Sequence, residues 1–154
     1  MTEADSVADA AIRRTLAACT QAGDARKAEA YGACFTPDSV LDLGSKRVEG
    51  AEAIRLWMSA PSVIPRPQGG APGFVSHHLT TCRIELTSPA TATVRTYWLV
   101  IAAAGLDHSG YYDDRFRRMG DDWLIEYRRP RTLWIAANSV LGGEARDRLA
   151  FRQS

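Results

Sequence analysis

Three side chains in this sequence, His77, His78 and His108, can exchange protons near neutrality without special help, because unperturbed imidazole titrates there. Two of them are adjacent, in a stretch (residues 74–102) that reads as two antiparallel strands with a turn at Ser88-Pro89. Neighbouring residues on a strand point to opposite sides, so His77 and His78 do not both enter one cavity under a sheet. The sequence leaves open which of the two does so. Asp24, at an expected helix start, has the chemistry to hold an imidazole in one tautomer and to stabilise the imidazolium. It is equally suited to capping that helix. Tyr111 and Tyr112 lie in an expected strand at 111–118, where Tyr112, Asp114 and Phe116 share one face. Either phenol could donate to a developing oxyanion or simply stand at a sheet rim. Adjacent histidines splay their rings, and neither H-x-H nor H-E-x-x-H spacing occurs, so no metal is expected. No glycine-rich phosphate loop is present either.

The elements that must position these groups follow from periodicity. Ser6 is expected to cap a first helix with Asp9, and Val7, Ala11, Ile12, Leu16 and Cys19 form its apolar stripe. A second helix is expected from Asp24, carrying Ala28, Tyr31 and Phe35, and a third over Gly50–Met58. Residues 36–39 read as a turn and 40–43 as a short strand. Residues 61–73 hold four prolines and three glycines, a composition suited to a mobile loop at the mouth of a site. Strand 91–102 is apolar on both faces apart from Arg95, which makes it central to its sheet. Residues 103–108 read as a turn and 123–128 as a further strand. Pro130 implies a break or bulge before a resumption at 133–135, and 138–154 is a mostly polar tail. Helices first and an antiparallel meander afterwards indicate an α+β fold. Phe35, Trp57, Trp98 and Trp134 suit either a core or an apolar pocket.

With 154 residues, 45% hydrophobic and 24% charged, the chain is expected to form one globular domain over 1–154, its core spanning about 7–135. Net charge is +1 without a basic block, so neither nucleic acid nor a membrane is an expected partner. The acidic N-terminus lacks the features of a signal peptide, and no apolar run is long enough to span a bilayer. Cys19, Cys34 and Cys82 show no C-x-x-C spacing and read as reduced thiols of a cytoplasmic protein. An apolar central strand points to a homo-oligomer, dimer or trimer, with 91–102 and 111–118 as contact face and the side bearing Val94, Trp98 and Val100 turned outward.

Several of these stretches resemble the SnoaL-like branch of the NTF2-like, ketosteroid-isomerase-like superfamily: Gly23-Asp24, Tyr31, Phe35 to Val40, Val48-Glu49-Gly50, His77, Gly110-Tyr112-Asp114 and Trp123 to Arg128. That resemblance implies a cone-shaped barrel, a strongly bent sheet packed on three N-terminal helices around a deep apolar pocket. The placement of Asp24 and His77 is similar to the dyad of scytalone dehydratases and hexachlorocyclohexane dehydrochlorinases. Carried over, His77 is the base, Asp24 its orienter, and Tyr31 or Tyr112 polarises the reacting oxygen. His78, Phe35, Trp57, Trp98, Asp114, Arg128 and Trp134 would border the pocket. The resulting expectation is a cofactor-independent lyase or isomerase acting on a small hydrophobic molecule, polycyclic or polyketide-like. The rivals are a non-catalytic ligand-binding or assembly domain, an epoxide hydrolase and a polyketide cyclase.

Overall fold

The structure, a computed structural model, describes residues 2–62 and 73–150. Helix α1 spans Glu3–Asp24, and its buried residues Ala8, Ala11, Ile12, Leu16, Cys19 and Ala22 recur at three- and four-residue spacing, giving one apolar face. Its cap is Thr2 paired with Asp5 in a reciprocal box, one turn earlier than the expected Ser6, and Val7 is exposed. Asp24 is the last residue of α1 rather than the start of the next helix. Arg26 follows with a positive φ of 56°, and the short α2 covers Ala28–Gly32. Strand β1 runs Phe35–Asp42 straight through the expected turn at 36–39. Strand β2 is Arg47–Glu49 and α3 is Ala51–Met58.

The remaining strands are long: β3 Val75–Ser88, β4 Thr91–Ala102, β5 Gly105–Met119 and β6 Asp122–Ile135, followed by α4 at Gly142–Asp147. Strand β6 passes through Pro130 without a break, and its irregularity comes just after, where the register shifts opposite Ser109-Gly110; β5 begins directly after a two-residue turn, so Asp107 and His108 belong to a strand. The expected gate at 61–73 lies mostly outside the described residues. All three cysteines are free thiols, and among the described residues no helix is long and apolar enough to cross a membrane.

The expectation of a cone-shaped barrel with a strongly bent sheet is corrected here. The six strands form an open mixed sheet in the order β2-β1-β6-β5-β4-β3; β1 and β6 are parallel and all other pairs antiparallel. Closure would require β3 to meet β2. Instead α1 packs on β3 and β6, and α3 packs on β1 and β2, so helices occupy the space a closing ladder would need. The fold remains α+β.

Two irregularities decide which side chains face the helices. In β3 the register shifts between Leu79 and Cys82. The bulge puts Val75, His77 and Leu79 on the same inner face as Cys82, Ile84 and Leu86, although the two sets differ in parity. In β6 a shift opposite Arg115-Phe116 similarly brings Ile125 and Arg128 to one side. Strand β4 buries Val94, Trp98 and Val100 against the helices and leaves Tyr97 and Leu99 exposed, the reverse of the orientation expected for its contact face. Two apolar clusters result. The larger joins α1 to β1, β4, β5 and β6; the smaller holds Val75, Trp98 and Val100 with Leu141.

Candidate active site

Residues from both clusters line a cavity of about 240 Å³ beneath the sheet. Its walls are apolar and aromatic (Leu41, Trp57, Met58, Val75, Trp98), with polar groups arriving from the ends of particular elements. The C-terminus of α1 supplies Asp24, the start of β3 supplies His77, and the middle of β5 supplies His108 and Tyr112.

Asp24 and His77 lie 53 positions apart and meet at 2.7 Å, Oδ1 to Nδ1. The other carboxylate oxygen accepts the backbone N–H of the same histidine at 2.8 Å. Both oxygens are therefore committed to one residue, which fixes the position of the strand as well as the angle of the ring. With Nδ1 donating to the carboxylate, Nε2 is left as the free nitrogen. Asp24 is an orienter in this geometry and not a helix N-cap. His78 points the other way, is exposed, and pairs with Ser76 Oγ at 3.0 Å.

A second such pair was not expected. His108 Nδ1 lies 2.7 Å from Asp107 Oδ2, and the pair is almost fully buried, with side chains 5% and 3% exposed. Asp107 also accepts Ser139 Oγ at 2.6 Å and the Val140 N–H at 2.7 Å. Burial works against its charge, but these three donors hold its carboxyl below the usual carboxylate range. Desolvation pushes the His108 imidazole below its ordinary value against the pull of Asp107, leaving it neutral at pH 7.

Tyr31 and Tyr112 both line the cavity. Burial raises both phenols, Tyr112 to about 12, so each stays protonated and available as a donor. Arg128 sits 4.1 Å over the Tyr112 ring and makes a two-pronged pair with Asp114 at 3.0 and 2.7 Å. Burial disfavours its charge, yet Asp114 outweighs that and holds the guanidinium well above its ordinary value. Asp114 lies behind Arg128 and does not line the cavity. Trp98 packs among His77, His108 and Tyr112, edge-on to His108 and tilted to the other two, with ring centroids 6.2, 5.3 and 5.7 Å away. Gly110 makes room for it, since a Cβ there would come within 2.7 Å of the indole and 2.0 Å of the Arg131 carbonyl oxygen.

Of the residues singled out from sequence, the cavity thus gathers Asp24, His77, Tyr31, Tyr112, Trp57, Trp98 and Arg128. Phe35 lies in the core against Tyr31, 5.3 Å between centroids, and Trp134 is 48% exposed on the outer sheet face. Besides His108, sequence reasoning missed Arg26 and the cavity-lining Leu141, Ala145 and Arg148 of the C-terminal segment. That segment is tied to β6 through Thr132, whose N–H donates to Arg148 O at 2.7 Å. The signal available for it was the recurrence of Leu141, Ala145 and Leu149 at four-residue spacing in a mostly polar tail.

Among the described residues no group of three or more histidines, cysteines or carboxylates is arranged to hold a metal ion. The family model of the SnoaL-like domain matches residues 5–129. No curated protein matches the sequence. Solved structures do. A provisionally named scytalone dehydratase from Novosphingobium aromaticivorans superposes with a TM-score of 0.74 at 22% identity, over 88% of this chain and 91% of that one. A hexachlorocyclohexane dehydrochlorinase of type 3 from Novosphingobium barchaimii gives 0.71 at 16% identity, over 86% and 91%. A type 2 dehydrochlorinase gives 0.71 at 14%, over 88% and 94%. At these identities the likeness is one of fold.

Proposed function

The chain belongs to the SnoaL-like domain family, and from that premise we propose that it is a cofactor-independent lyase or isomerase in which His77 removes a carbon-bound proton. The observation that carries this reading is the double engagement of His77 by Asp24, through Nδ1 and through the backbone N–H. It leaves Nε2 as a lone pair aimed from a fixed ring.

The substrate is a small, largely apolar compound with an acidic C–H beside a carbonyl or a leaving group. His77 Nε2 takes the proton, and the electron pair moves onto the carbonyl oxygen. The Tyr31 or Tyr112 hydroxyl donates to that oxygen as its charge grows; both phenols are neutral and carry the proton needed. Asp24 stabilises the imidazolium through the crossing. The imidazolium then returns the proton, to a departing hydroxyl in an elimination or to another carbon in an isomerisation. Neutral His108 offers a second acceptor nitrogen that can hold a substrate hydroxyl in place. The dehydratase and dehydrochlorinase names of the structural neighbours fit this class of chemistry. The three free thiols support a reducing, cytoplasmic setting. Self-association, expected from sequence, would use the outer sheet face, where Tyr97, Leu99, Leu106 and Trp134 are exposed. Sedimentation at micromolar concentration reads it, and a 16.9 kDa species throughout would remove it.

The test of the activity is a panel of β-hydroxy ketones, unsaturated bicyclic ketones and chlorinated alicyclics, followed by absorbance of the conjugated product. Turnover that disappears in His77→Asn supports the proposal. A panel that binds but is never turned over would make the cavity a ligand-binding site.

A further inference from the structure

Helix α1 ends in a turn that glycine would form more easily than the residue found there. The Lys27 N–H donates to the Ala22 carbonyl at 2.9 Å and the Arg26 N–H to the Gly23 carbonyl at 3.1 Å. With Ala25 as C-cap, these are the two crossed bonds of a Schellman motif. The motif takes a left-handed residue just after the cap, and Arg26 fills that place with a φ of 56°, the one positive φ outside glycine among the described residues. A side chain there crowds its own backbone, so arginine costs the fold stability that glycine would not. Strain of this kind beside a cavity points to a use for the side chain that causes it.

That side chain reaches across the mouth of the cavity. Most of the lining residues are buried or half-buried; the exposed ones are Arg26, Ala60, Pro61 and Ser62. The opening therefore lies between the end of α1 and the chain leaving α3. Arg26 spans that gap, its Nη2 donating to the carbonyl oxygen of Ala60, 34 positions away. The bond differs from those of other arginines in the molecule. Arg13, Arg55, Arg95 and Arg117 each pair with a carboxylate. Among the described residues Arg26 has no such partner, and Asp24, two positions earlier, has both oxygens committed to His77. One bond to a neutral, exposed carbonyl shifts an equilibrium by about tenfold, enough to hold a gap shut and weak enough to release it.

We propose that Arg26 is a latch: its guanidinium closes the mouth over a bound molecule, and letting go of the Ala60 carbonyl is the step that admits substrate and frees product. This rests on the proposed function only in taking the cavity as the site, and it holds equally for a cavity that retains a ligand without turning it over. The latch stands next to the dyad, since Asp24 is the last residue of the helix whose capping turn carries Arg26. Closure on that side keeps water from the carbon that His77 faces.

Cys19 reports on the latch without any substrate, because it is fully buried yet lines the cavity, whereas Cys34 is buried and does not line it. The full chain is treated with methyl methanethiosulfonate, a small neutral thiol reagent, and modification of each cysteine is followed by peptide mass spectrometry. Arg26→Gly keeps the turn, so the melting temperature should rise by about 2–4 °C. Cys19 should nevertheless be modified about tenfold faster, and Cys34 no faster than in the unaltered protein. Arg26→Lys, which can still donate to Ala60, should leave the Cys19 rate within about twofold. Entry of reagent by global unfolding predicts the reverse, since a more stable chain opens less often. An unchanged Cys19 rate in Arg26→Gly would overturn the proposal, as would equal acceleration at Cys34. A fall in melting temperature would make the arginine a structural residue and overturn it too. None of these results bears on whether His77 abstracts a proton.

Discussion

Two aspartate–histidine contacts of equal length, 2.7 Å, stand on one cavity and differ in everything that surrounds them. Asp24–His77 joins the end of a helix to the start of an edge strand, and its side chains keep 21% and 29% of their exposure. Asp107–His108 joins neighbouring residues of an inner strand, is buried to within a few per cent, and has its carboxylate shared with Ser139 and Val140. In the first pair the whole carboxylate serves one histidine. In the second the histidine is one of three donors to a carboxylate that clasps the C-terminal segment against β5. On the proposed reading, what else the carboxylate binds and how much water the imidazole keeps, rather than separation, divide a reactive dyad from a structural one.

If that division holds, His77→Asn gives the largest functional effect. The asparagine amide can still donate to Asp24 from the place of Nδ1, so the fold should survive while turnover falls by about three orders of magnitude or more. Asp24→Asn comes next, with a loss of about two to four orders in kcat through the tautomer and the imidazolium. Its stability cost is about 1–2 kcal/mol, because one of the two donors from His77 loses its acceptor. Urea unfolding of both variants checks that the losses are chemical.

Asp107→Asn should invert this pattern. Its three donors, now spread over two oxygens, are left with one, and unfolding free energy should fall by about 2–3 kcal/mol, with cleavage by protease concentrating at 136–150. A dehydratase-scale loss of kcat with unchanged stability would instead make the second pair catalytic. The smallest effect expected is on pH dependence. The imidazole of His108 is held below its ordinary value, so the unfolded chain takes up the proton first. Its contribution to stability is therefore complete above about pH 6.5 and declines as pH falls toward the folded value. His108→Asn should flatten the decline of the stability profile below about pH 6.5.

Much of the site could be read from residue types because the dyad depends on two positions whose chemistry is explicit. What the sequence withheld was phase and contact. Which of His77 and His78 turns inward depends on the bulge between Leu79 and Cys82, and alternation counted back from Cys82 without it selects the wrong histidine. Asp24 looked like a helix start because Gly23 precedes it, yet α1 continues through both and the break comes at Arg26. His108 looked like part of a turn because 103–108 has no apolar alternation. Asp107 can be polar and yet buried at the β4–β5 register shift because residues 136–140 cover it, a contact set by the chain returning from elsewhere. The barrel implied by family resemblance failed for a related reason: whether a sheet closes depends on what fills the gap between β2 and β3, and local patterns do not encode that.

Central to the whole reading is proton abstraction by His77, and hydrogen–deuterium exchange tests it without knowledge of the natural product. 2-Tetralone and 4-acetylbenzoate are incubated in D2O with the protein, and label at the carbon beside the carbonyl is followed by NMR. Proton abstraction by the dyad requires label to enter faster than in buffer, this acceleration to be lost in His77→Asn, and most of it to survive in His108→Asn. Acceleration that His77→Asn leaves intact, or exchange at the buffer rate for ketones shown to be bound, would contradict it.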